Sequence, residues 1–88
     1  MSSFTGMDVP AVRQLATQMT SSASQIRQLM TQLTNQLNGT QWVGPDRTRF
    51  EGEWSGTYVQ QLNQVASALE DAANRANQNA TQQETASA

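Results

Sequence analysis

Two long stretches of apolar residues at three- and four-residue spacing are interrupted once, by a short polar break that holds Trp42-Val43-Gly44. That pattern points to a hairpin of two helices. Within the break, Asn38-Gly39 reads as a helix stop in the left-handed conformation and Gly44-Pro45 as the start of the next helix. Trp42 stands where it can plug the open end of the helix pair, with its indole N–H free to reach a backbone carbonyl or water; the alternative is a recognition role.

The first helix is expected over about 8–38, with Asp8 as its cap and Pro10 in the opening turn, where a missing N–H costs nothing. Val12, Leu15, Met19, Ile26, Leu29 and Leu33 form a heptad seam in which Ser22 fills the one polar site. Ala16, Ala23, Met30 and Leu37 form a second row beside it, so the apolar stripe is wider than one helical neighbour can cover. After a turn over about 39–44, the second helix is expected over about 45–77, with Pro45 in its first position and Asp46 facing the positive end of the helix dipole. Phe50, Trp54, Tyr58 and Leu62 recur at steps of four before Val65, Leu69, Ala72 and Ala76 resume the three-four rhythm. Steps of four drift around a helix, which carries Phe50 to the side of the stripe, under Trp42 or against another chain.

Gly52 and Gly56 lie one turn apart on the face away from Trp54, as a tolerated cost on a solvated surface or as a small-residue docking groove. Arg47 with Glu51 and Arg49 with Glu53 form i,i+4 pairs in the weaker orientation and read as surface decoration. Residues 78–88 are too polar to bury and are expected to form a flexible tail, either a frayed end or a peptide ordered on capture.

Composition removes most chemistry. The chain has 88 residues with no histidine or cysteine, so the usual transition-metal ligands, a thiol nucleophile and the common general base near neutrality are all missing. Glu70 and Asp71 are adjacent and splay around a helix, no lysine or histidine is present to activate a serine, and no glycine-rich phosphate loop occurs. No catalytic, cofactor-binding or metal-binding residue is assigned, and the expectation is a non-enzymatic protein without a cofactor. Five scattered arginines against a net charge of −2 do not suit nucleic acid, and no basic amphipathic helix invites an anionic membrane. The first eight residues contain neither a basic n-region nor an apolar h-region, so export would need a route without a cleavable signal peptide.

Helices of about 30 residues span roughly 45 Å each, and an isolated antiparallel pair leaves much of both stripes in water. Packing two hairpins into a four-helix bundle buries the second rows. The fold class expected is therefore all-α, an antiparallel helix-turn-helix hairpin that dimerises. Its core or dimer interface would comprise Val12, Leu15, Met19, Ile26, Leu29, Met30, Leu33, Leu37, Phe50, Trp54, Leu62, Val65 and Leu69.

In its length, central Trp42-Val43-Gly44, flanking helices and polar tail, the chain resembles the WXG family of small type VII secretion substrates, the early secretory antigenic target-like proteins. The resemblance covers nearly the whole chain. It implies a hairpin that pairs as a homodimer or as a heterodimer with another member of the family, and leaves the cytoplasm folded through a membrane apparatus driven by a secretion ATPase. It implies that Trp42 and Gly44 form half of a composite export signal, the other half being a C-terminal tyrosine followed four residues later by an acid. Here the only tyrosine, Tyr58, precedes Leu62, and Ala80 to Glu84 supplies the acid alone. That departure implies a heterodimer whose partner carries the tyrosine motif, with a homodimer left open. Two other classes stand beside an exported binding protein: an intracellular helical adaptor, and a membrane-active secreted effector, against which the polar surface argues.

Overall fold

A computed structural model describes residues 6–87. Among them the chain is all-helical: α1 spans Val9–Gly39, α2 spans Pro45–Glu53, a π-helical turn spans Trp54–Tyr58, and α3 spans Val59–Ser87. Helix α2, the π turn and α3 form one rod that runs antiparallel to α1, giving a molecule of 63 × 19 × 18 Å. Asp8 caps α1 as its short carboxylate requires, with Oδ1 accepting the Ala11 N–H at 3.1 Å.

The row that closes the hairpin is the alanine row. Ala16, Ala23 and Met30 of α1 are buried together with Trp54, Ala66, Ala73 and Ala80 of the second rod. The alanines repeat every seven residues, and small side chains at that spacing let two helix backbones approach closely. Sequence periodicity made the leucine row the seam and the alanines its flank; the structure exchanges the two. Leu15, Leu29, Leu33 and Val65 are exposed, each keeping about half its surface. Val12, Met19, Ile26, Leu37, Leu62 and Leu69 are half-buried at the edges of the seam. Each buried alanine methyl contributes only about 0.8 kcal/mol of burial, so the seam holds by contact along its length rather than by bulk.

Three further expectations are corrected. Gly39 ends α1 in helical conformation, and among the described residues only Gly44 has a positive φ. Thr40 replaces the left-handed stop: its N–H returns to the Leu37 carbonyl at 3.2 Å and its hydroxyl to the Gln36 carbonyl at 2.6 Å, which satisfies two of the last four acceptors of the helix. The second helix is not regular, because the π turn interrupts it. Nor does it end near Asn77, since α3 continues to Ser87, across the segment expected to be a flexible tail. Ala80, seven residues after Ala73, extends the buried row into that segment, and Arg13 of α1 binds Thr81 and Glu84 beside it.

The hairpin has two unlike faces. On one side of the alanine row, Arg27 reaches across to Asn63, Ser67 and Glu70, and Arg13 to Thr81 and Glu84. Exposed ion pairs of this kind contribute about 0–1 kcal/mol each, but they are long-range contacts and pin the antiparallel register. On the other side, Leu15 and Leu29 precede buried residues by one position on α1, and Val65 does the same on α3. Both helices therefore turn their leftover apolar surface the same way.

Candidate functional site

Gly44 fixes the shape of the turn. Its backbone sits at φ 138°, ψ 179°, a region essentially restricted to glycine, and a Cβ added there would meet nothing within 4 Å. The requirement for glycine is thus one of backbone conformation and not of space. The Gly44 carbonyl then accepts the Thr48 N–H at 3.1 Å, and α2 begins at Pro45.

Arg47, read from sequence as a surface ion-pair residue, fastens this turn. Its Nη1 donates to the Trp42 carbonyl at 2.9 Å and to the Thr40 carbonyl at 3.3 Å, while its Nε donates to Glu51 Oε2 at 2.9 Å. A planar fork with donors on several edges serves two carbonyls and a carboxylate at once, which lysine cannot do. The i,i+4 spacing to Glu51 was visible in sequence; the reach back to an extended loop was not. No equivalent bond is made by Arg49 to Glu53 among the described residues.

Three aromatic rings line the turn end of the hairpin, Phe50 stacked on Trp54 and tilted against Trp42. Phe50 lies between the tryptophans, 6.2 Å from Trp42 at 34° and 6.2 Å from Trp54 at 16°. Trp54 is the inner member, 9% exposed, and its Nε1–H donates to Thr34 Oγ1 on α1 at 2.9 Å. Thr34 was not singled out from the sequence, and its partner is found only by folding the hairpin. Trp42 is the outer member, 40% exposed, and the Phe50 ring beside it is open to solvent to nearly the same degree. Beside it, Val43 projects almost wholly into solvent.

These rings, with Leu33, Gln36, Leu37 and Thr40, line a groove of about 300 Å³. Leu33 belongs both to this groove and to the exposed apolar row, so groove and face are continuous. Two larger hollows of about 540 Å³ are lined by polar residues, one by Ser24, Arg27, Gln28, Thr31 and Gln32 of α1 and the other by Asn74, Asn77, Gln78, Thr81 and Gln82 of α3. No protein-family model, curated protein or solved structure matches this chain. The site must be read from its own geometry.

That geometry suits binding. Among the described residues no cluster of three His, Cys, Asp or Glu could hold a metal ion, and no helix is long and apolar enough to cross a membrane. The site offers a turn tip fastened by Arg47, a shallow aromatic groove and a lengthwise apolar strip. Leu15, Leu29, Leu33 and Val65 lie on the strip; Trp42, Phe50 and Trp54 form the groove; Met30 lies inside the hairpin with the alanines.

Proposed function

We propose that this chain is a non-enzymatic interaction protein, one hairpin of a helical pair, exported in folded form by a type VII secretion apparatus as a WXG-type substrate. The observation that carries the reading is the turn: a glycine-only conformation at Gly44 presents a half-exposed Trp42 at the tip of a hairpin whose apolar face is uncovered. Surface area supports pairing. Folded monomers of this mass expose about 5,100 Å², whereas this chain exposes 6375 Å². The surplus exceeds the roughly 800 Å² per partner that a standard interface buries. Lengthwise pairing along Leu15, Leu29, Leu33 and Val65 gives a four-helix bundle and is how a rod recovers such surface.

The partner is a second helical hairpin, either another copy or another member of the same class that supplies the tyrosine motif this chain lacks. In this reading the secretion ATPase acts on the pair, and the Trp42-Val43-Gly44 turn is part of what it recognises. Trp42→Ala tests the turn. The substitution removes one outer ring contact, worth about 0.5–1.5 kcal/mol, and leaves the alanine seam intact. The purified variant is expected to keep the parent's helical circular dichroism while disappearing from the culture medium of cells with an active secretion ATPase. Parent-level export of the variant, or export of the parent without the ATPase, would overturn the proposal.

A further inference from the structure

The second rod carries one residue more than its seam requires. Trp54 and Ala66 are both buried on the row that continues through Ala73 and Ala80, yet they stand twelve positions apart. At about 100° per residue, twelve positions of regular α-helix would leave Trp54 roughly 120° off the row, whereas eleven would leave it about 20° off. The π turn lies inside this interval, and the Val59 N–H bonding back five residues to the Trp54 carbonyl absorbs the extra position. With that slack taken up, Trp54 reaches Thr34 and stacks on Phe50.

The same arithmetic defines a second register. If Trp54–Tyr58 relaxed into α-helix with the chain length unchanged, Trp54 would swing from the seam to the side that carries Tyr58 and Val65, and Ser55 would take its place on the row. Tyr58 and Val65 are both exposed, at 42% and 49%. We propose that the π turn is a one-residue register device that assigns the Trp54 indole either to the inner wall of the turn-end groove, as in this structure, or to the apolar face. Ser55, Gly56 and Thr57 are all exposed, so nothing packed against them blocks the exchange. The device couples the groove to the face, because the indole that completes one is withdrawn from the other. It stands independently of whether the chain is exported.

Two variants in a Trp42→Phe background, which leaves Trp54 as the only tryptophan, test the device. Deleting Gly56, whose surroundings are open, removes the surplus residue; α-helix then suffices to keep Trp54 on the row. The deleted chain is expected to keep Trp54 as shielded from acrylamide as in the parent, with its indole N–H resonance in place. Its melting temperature should match the parent or exceed it by up to about 4–8 °C, since an interior helical glycine is gone. Ser55→Leu rewards the other register, because a leucine on the row is buried only if the π turn relaxes. That chain is expected to keep its helical circular dichroism while acrylamide quenching of Trp54 rises severalfold. Exposure of Trp54 in the deleted chain, continued shielding of Trp54 in Ser55→Leu, or unfolding of either chain would overturn the proposal.

Discussion

Gly44 and Gly52 receive the same methyl group in Gly→Ala substitutions, and the structure assigns the two changes opposite signs. At neither position does the added Cβ meet an atom within 4 Å, so sterics between side chains cancel from the comparison. What remains is the backbone. Gly44 sits at φ 138°, ψ 179°, where an alanine costs about 1–3 kcal/mol if it keeps the conformation. Gly52 lies inside α2, where alanine removes the conformational penalty of a helical glycine and gains about 0.5–1 kcal/mol. For a domain of this size about 1 kcal/mol moves the melting temperature by roughly 4–8 °C. Thermal unfolding followed at the helical circular dichroism band should therefore show Gly44→Ala melting several degrees below the parent and Gly52→Ala several degrees above it. Shifts of the same sign in both variants would refute the assignment of Gly44 to backbone conformation.

Arg47→Lys keeps the charge but loses the fork that serves two turn carbonyls, and should cost about 1.5–3 kcal/mol with faster amide exchange in residues 40–44; Arg49→Lys, measured alongside, should change neither. Thr34→Val takes the acceptor from a buried indole N–H, for an expected loss of about 1–3 kcal/mol and a displaced Trp54 indole resonance in nitrogen-proton correlation spectra. Ala73→Leu forces three extra carbons into a seam position that is 1% exposed, and should destabilise by about 1–3 kcal/mol or more in chemical denaturation, whereas Asn74→Leu on the outer surface should not.

The two helices, their antiparallel pairing and the position of the turn were legible in the spacing of apolar residues, because one wide stripe on each side of one break admits few arrangements. Which row closes the hairpin was not legible from hydrophobicity, since the leucine and alanine rows lie side by side and periodicity weighs them alike. Size decides it. Alanines seven residues apart allow backbones to approach, and leucines beside them are left for another surface. The repeat Phe50, Trp54, Tyr58, Leu62 signalled a local departure from heptad spacing, but a regular helix drifting and a helix with an inserted residue produce the same string. Polar composition masks the register of residues 78–87: a single Ala80 in step with Ala66 and Ala73 is enough to extend the seam. The role of Arg47 leaves no trace in the sequence beyond its spacing to Glu51, because its other partners are backbone carbonyls of a loop, which carry no side-chain signature.

Whether the apolar strip is an interface is decided most directly by the mass of the chain in solution. Light scattering on the purified protein, alone and co-expressed with a neighbouring small helical protein, is expected to give a mass well above the 9.6 kDa of one chain in at least one of the two conditions. Leu29→Asp, which places a charge on the strip at a residue 56% exposed within the hairpin, should return the assembly to single hairpins while leaving the helical signal unchanged. A fully folded 9.6 kDa species in both conditions would contradict pairing through this face.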